Sequence, residues 1–297
     1  MKKSLALLLT ILLVILTSSL CSAEMAVQSN GLQGNSVQAD GYGTAKATAN
    51  PAQATIMARR AAIVDAYRNL LENIQGVQID ATTTVQDAMT TSDTIYTKVT
   101  GFLKGAKVVQ ESWTPEGAYH VVVSVALYGQ TSLAAIMEPT IRANAPAVGS
   151  YAPISPGITV PPAITPVPTT PLPVTPIPIT PAPVVGQRSA TGLILDCRNT
   201  SLERTMAPVI YDEDGRVIYS STIISYDVLI NKGLCDYVVQ SSTDYSRAGN
   251  APLTITPMAL RDFNRNFVVS RADGARILAA NDQSNMLAQA AVVVLIN

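Results

Sequence analysis

The sequence predicts an α+β protein: two small domains of helices packed on mainly antiparallel sheets, joined by a polyproline II linker and preceded by a signal peptide. Three observations predict it. A proline-rich repeat divides the chain, an amphipathic helix followed by a hairpin lies before it, and a series of short apolar strands lies after it.

The chain starts with the layout of a secretory signal peptide: Met1-Lys2-Lys3, an apolar run over residues 5–16, then Thr17, Ser18 and Ser19. Cys21-Ser22-Ala23 puts small residues at the −3 and −1 positions ahead of Glu24, which gives cleavage after Ala23 and a signal peptide over residues 1–23. The alternative is lipoprotein processing at Cys21, and Leu20 immediately before that cysteine disfavours it. The apolar core is shorter than the roughly 20 residues that span a bilayer, and no later segment reaches that length. The sequence therefore predicts an exported protein, periplasmic or outer-membrane-associated, with no transmembrane segment after cleavage.

Loss of Lys2 and Lys3 takes 20 basic residues to 18 against 21 acidic ones, a balance that argues against a nucleic-acid partner. Cleavage also removes Cys21 and leaves Cys197 and Cys235 in one module. In an exported protein they are candidates for a disulfide; the competing reading is two buried free thiols, since alternation puts Cys197 on the strand face of Leu193 and Leu195.

Residues 24–39 are polar and read as a flexible tether, and residues 40–143 as the first domain. Residues 40–48 alternate weakly, as a strand does. Asn50-Pro51 then supplies an N-cap and a proline at the first helical position. The helix runs to Gly76, with Ile56, Ile63, Tyr67, Leu70, Leu71 and Ile74 on one stripe and Asp65, Arg68, Asn69 and Glu72 opposite. Arg60 interrupts the stripe. It reads as a snorkelling side chain or as half of a buried ion pair with Asp80 or Glu111.

Residues 77–85 alternate as a half-buried strand. Ser92 can cap a helix carrying Ile95, Val99 and Phe102, ended by Gly105. Residues 107–113 and 118–128 form a hairpin about the tetrad Thr114-Pro115-Glu116-Gly117. Its second strand puts His120, the single histidine, on the solvated face. A short helix over residues 132–137 closes the domain.

Residues 144–187 form the linker. Within it TPVPT, TPLPV, TPIPI and TPAPV follow one another from Thr165, and 12 of the 19 prolines lie between Tyr151 and Gly186. Proline fixes φ and removes a donor, so the stretch reads as polyproline II, which could hold the domains up to about 90 Å apart. The two domains are expected not to touch.

Residues 188–297 read as a strand-rich domain, with strands over residues 191–197, 207–211, 216–220, 236–240, 253–259, 267–270 and 290–296. The unbroken run from Val292 to Ile296 suggests a strand buried on both faces in mid-sheet. One helix covers residues 226–232 and stops at Gly233; a second follows the capping box Ser270-Arg271-Ala272-Asp273. Asp212 and Asp214 are weak metal candidates. Asp212-Glu213-Asp214-Gly215 lacks the distal ligand of a calcium loop and reads as a hairpin turn.

Ala58-Arg59-Arg60-Ala61-Ala62, Asp65-Ala66-Tyr67-Arg68, Leu70-Leu71, Gly76-Val77, Gly101, Gly105-Ala106 and Val123-Ser124-Val125 together resemble the LPP-twenty lipoprotein domain over about residues 40–128. The N-terminal domain of flagellar assembly protein T looks similar. The resemblance implies an exported bacterial α+β domain used in outer-membrane or flagellar-basal-body assembly, with no catalytic residues to carry over. The layout of the C-terminal half looks like a second domain that follows the first in some exported proteins of this kind.

HExxH, GxSxG, CxxC and phosphate-cradling GxxxxGK motifs are absent, and one histidine excludes a multi-histidine metal site. The sequence thus predicts no catalytic residues, no cofactor and no enzyme, although a carboxylate-based or Ser/Lys hydrolase needs no local motif. The expected role is a noncatalytic envelope scaffold or assembly factor whose partners are envelope proteins or further copies of itself. The alternative is a module that binds peptidoglycan, a surface glycan or a small ligand. Trp113, Tyr119 and Tyr128 are its candidate stacking residues.

Overall fold

The computed structural model describes residues 31–33, 35–46, 50–150, 190–239, 242 and 244–297. The expected signal peptide, Cys21 and the TPxPx repeats lie outside the described residues. What is described is two small α+β domains.

In the N-terminal domain β1 (Gly31–Gln33), β2 (Ser36–Gly43), β3 (Lys107–Trp113) and β4 (Tyr119–Ala126) form an antiparallel sheet in the order β1-β2-β4-β3. Residues 31–33 and 36–39, expected to be tether, are therefore part of the sheet. Helix α1 (Pro51–Gln75) packs across β2 and β4, with Asn50 accepting from the Gln53 amide at 2.8 Å as its cap. Its buried row is Ala58, Ala62, Ala66, Leu70 and Ile74, while Ile56 lies more than half exposed.

The reason is the two glycines opposite. A Cβ on Gly41 would sit 2.2 Å from the Ala66 amide nitrogen, and one on Gly43 would sit 2.2 Å from the Ala58 carbonyl oxygen. At that helix-to-strand distance alanine is the side chain that fits. Asp65, Asn69 and Asn73, one helical turn apart, then bond the Tyr42 amide and the Asp40 and Gln38 carbonyls along β2. Asp65 and Asn69 were expected on the solvent face; they instead satisfy strand groups that would otherwise be open.

The segment after α1 is not the expected strand. Its pairing is one bridge, Gln78 to Thr84, because the Asp80 carboxylate accepts from the Thr82 and Thr83 amides and turns the chain. Helix α2 (Val85–Thr91), which sequence reasoning missed, follows behind a capping box of Thr84 and Asp87. Helix α3 (Asp93–Leu103) is capped by Ser92 as expected. Helix α4 (Leu133–Asn144) runs past Pro139, and the end expected at residue 137 moves seven residues on because Met137 and Ile141 are buried in the core.

The C-terminal domain holds two sheets. β10 (Ala259–Arg261), β11 (Asn266–Val269), β6 (Ile210–Asp212) and β7 (Val217–Tyr219) form a mixed sheet in that order, in which the β11–β6 pair is parallel. β8 (Asp236–Val239), β12 (Val292–Ile296), β5 (Leu193–Asp196) and β9 (Leu253–Ile255) form a parallel sheet. The single strand expected over residues 253–259 is two short strands in different sheets. β12 is central and buried throughout: Val292, Val294 and Ile296 enter the main core, and Val293 and Leu295 pack with Ile194 and Ala248 on the other face. α5 (Tyr226–Lys232) ends at Gly233, and α6 (Arg271–Ser284) starts from Ser270, which exchanges bonds with Asp273.

The two domains touch, contrary to expectation. Their buried apolar residues form one continuous core. The Met206 and Ala207 amides donate to the Gln78 and Ile79 carbonyls at 2.9 Å, and Arg142 of α4 reaches the Ile224 carbonyl at 3.0 Å. The alternation of Val77, Ile79 and Ala81 thus marks an extended segment buried against the second domain. Residues 146–150, expected to begin the spacer, lie along β7: Val217 donates to the Ser150 carbonyl, and Gly149 to that of Val217, both at 2.8 Å.

Candidate functional site

The sheet of the N-terminal domain ends in β1 on one side and β3 on the other. α1 side chains and β1 cover β2, whereas β3 is exposed at all seven residues. Its outer backbone groups face solvent, a template for pairing with another chain, and the register shift between Val108 and Gln110 is a bulge of the kind that limits such pairing. Trp113 is the last residue of this edge. Its ring meets Tyr119 edge-to-face at 5.0 Å, 89° between planes, and remains 49% exposed.

Beside this pair, Arg59 of α1 reaches across to Glu111 of β3 at 2.7 Å. The buried-pair reading of Arg60 is thereby corrected. Arg60 is exposed, because centring the helix on its alanines rotates position 60 outward, and Arg59 takes the Glu111 partner. The pair is half exposed on both sides, so it orients the two elements more than it stabilises them.

The three candidate stacking residues do not converge. Tyr128 lies nine residues beyond Tyr119, about 30 Å at strand rise, and packs at the domain boundary. A Cβ on Gly233 would lie 2.4 Å from the Tyr128 ring, and burial pushes the Tyr128 phenol up. Tyr128 is an interdomain contact, which leaves the exposed Trp113 with the partly buried Tyr119 as the remaining aromatic pair.

His120, expected on the solvated face, is 13% exposed. Its Nε2 lies 2.7 Å from the Asp40 carboxylate, and its ring stacks on Tyr42 at 4.7 Å. β2 and β4 place Tyr42 directly opposite His120, a pairing of strands too far apart in sequence for local pattern to reveal. Ser112 lies opposite His120 on the other side, yet it makes no hydrogen bond to the ring, and among the described residues the ring's hydrogen-bond partner is Asp40.

In the C-terminal domain Cys197 and Cys235 are buried free thiols, and the disulfide alternative is corrected. β12 lies between β5, which precedes Cys197, and β8, which follows Cys235. Strands on either side of a third are roughly 10 Å apart, beyond the Cα separation of about 7 Å that a disulfide tolerates. Burial pushes both thiols up to about 12.

The Asp212 carboxylate accepts from the Asp214 and Arg216 amides within the β6–β7 turn, and Asp214 pairs with Arg271 at 2.7 and 2.8 Å, which holds the Asp214 carboxyl below its ordinary value. Both oxygens of the Asp214 carboxylate are thus held by Arg271, and the metal reading of the cluster has no free ligand set. Among the described residues no group of three or more His, Cys, Asp or Glu is placed to hold a metal ion.

Sequence reasoning missed two features. Arg247, 12% exposed, donates to the Lys232, Gly233 and Ala290 carbonyls and to Asp236, closing the end of α5. Asp262, Phe263 and Asn264 are three consecutive left-handed residues that expose Phe263 and turn Arg265 back to the Ala81 carbonyl of the other domain at 2.8 Å.

Residues 31–126 match the LPP20 lipoprotein family. The N-terminal domain is an LPP20 domain. Residues 192–297 match the family described as Treponema pallidum Tp0624, second domain. No curated protein matches the chain. The LPP20 domain puts the protein among exported, envelope-associated proteins. No helix among the described residues is long and apolar enough to cross a membrane. In the LPP20 domain the family match covers the whole β1-β2-β4-β3 sheet, including the open β3 edge, and ends with β4.

Proposed function

We propose that the protein is a noncatalytic scaffold or assembly factor of the cell envelope, associated with the outer membrane or the flagellar basal body, and that it engages its protein partner through the open edge of the LPP20 sheet. One observation carries this reading: β2 is closed by α1 while β3 is exposed along its full length, with Val109 and Trp113 standing out from it. Added strands gain affinity from main-chain bonds and specificity from alternate side chains, and β3 offers both. Ile56, Met57 and Val64 of α1 are further exposed apolar residues of this domain.

In-cell cross-linking tests this. A photo-reactive side chain at Val109 or Ser112 should capture a defined envelope protein, while one at Asp227 of α5 should not. Equal capture at both positions, or none at either, contradicts the reading.

The Trp113–Tyr119 pair favours a second reading, stacking on a cell-wall or surface sugar. Retention on purified cell wall that is lost in Trp113→Ala would support it.

A further inference from the structure

At the end of β3 remote from Trp113, a cleft of about 590 Å³ opens between the last turn of α3 and the first residues of β3. Gly101, Phe102, Gly105, Lys107, Val109 and Val125 line it. Its size falls within the range of small-molecule sites. Gly101 is the informative residue. It lies inside α3, where glycine is about 1 kcal/mol less favourable than alanine. Gly41 and Gly43 have a steric reason to be glycine, the backbone of α1. Gly101 has none among the described residues: a Cβ there would meet none of their atoms within 4 Å.

The lining also has a clear chemistry. Phe102, Val109 and Val125 give apolar walls, Asn35, Ser36, Ser124 and Thr131 give neutral polar groups, and Lys107 is the single ionised side chain among the described lining residues. No carboxylate is among the described lining residues, and Lys107 makes no ion pair with a described residue. A groove of apolar walls with one cation suits a ligand with an apolar body and one anionic head, because the ammonium adds attraction to the head without a competing carboxylate.

We infer that the cleft beside Gly101 binds a small anionic amphiphile, with the apolar body over Gly101 and Phe102 and the head at Lys107. The cleft shares Lys107 and Val109 with the β3 edge, but its ligand is a small molecule and its test uses the purified protein alone, so it stands or falls independently of the scaffold reading.

Titration of the purified protein with decanoate and with decanol, at concentrations below micelle formation, tests it. Decanoate should bind one to one and at least tenfold tighter than decanol. Gly101→Leu should reduce decanoate affinity at least tenfold by filling the cleft. Gly101→Ala should leave the fold intact and raise the midpoint of thermal unfolding, which shows that the glycine is not a requirement of folding. Lys107→Gln should bring decanoate down to the level of decanol while leaving decanol unchanged. Undiminished binding to Gly101→Leu, equal affinity for decanoate and decanol in the unsubstituted protein, or no binding of either compound would overturn the inference.

Discussion

At the residue scale, the N-terminal domain depends on close approach. Gly41 and Gly43 admit the α1 backbone, and alanines fill the helix row that meets them. Gly41→Ala should therefore cost about 3 kcal/mol or more, at or beyond the upper end of ordinary overpacking, because the atoms it meets are backbone and cannot rotate away. Urea unfolding measures this, and a loss under about 1 kcal/mol would contradict the packing. The sequence shows α1 as a helix, and Leu70 and Ile74 of its expected stripe are buried with Ile63, Tyr67 and Leu71 packed beside them, but it puts Ile56 inside and misses the alanine row, since hydrophobicity scales favour Ile56 over Ala58 while contact distance decides the reverse. The same rotation turns Arg60 outward and brings Arg59 to Glu111.

The two cysteines allow a second prediction at this scale. Burial raises both thiols from 9.0 to about 12. A raised thiol favours the folded state fully below its unfolded value, and that contribution is lost as pH rises from about 9 towards 12. The buried Tyr219 and Tyr237 phenols are shifted in the same direction and add to the alkaline loss. Native protein at pH 8 should leave Cys197 and Cys235 unreactive to a thiol reagent, with reaction following global unfolding. Fast modification of either cysteine in folded protein would contradict their burial.

At the scale of elements, local signals give most of the helices and the hairpin. Asn50, Ser92, Ser132, Ser225 and Ser270 all act as caps. The failures occur where tertiary contact overrides local preference. α4 continues through Pro139 because its far half is buried against neighbouring elements. Residues 77–85 alternate like a strand because one side is covered by the second domain, and reading them so concealed the capping box of α2.

Arg247 is the element-scale contact that no sequence pattern reveals. It joins the end of α5, the start of β8 and the loop before β12 by donating to three carbonyls and one carboxylate. Arg247→Ala leaves those carbonyls without their donor and should cost about 2 kcal/mol or more. Arg247→Lys should recover part of this, because an ammonium cannot reach all four groups at once. Chemical denaturation of both variants checks the order, and equal stability of Ala and Lys would contradict it.

At the scale of the whole molecule, composition predicts two separated domains and the structure shows one body. The proline repeats dominate the composition between residues 151 and 186. Composition carries no information on whether the residues at either end dock. Here residues 146–150 lie along β7, Met206 and Ala207 bond the loop after α1, and Tyr128 packs against Gly233. The exposed β3 edge of the N-terminal domain is consequently held in a fixed orientation to the second domain.

Small-angle X-ray scattering of the purified protein tests that central claim most directly. Docked domains predict a radius of gyration near the roughly 20 Å of a compact chain of 297 residues, with a single-peaked distance distribution. A radius above about 40 Å with two resolved maxima, as domains held some 90 Å apart on an extended proline rod would give, would contradict it.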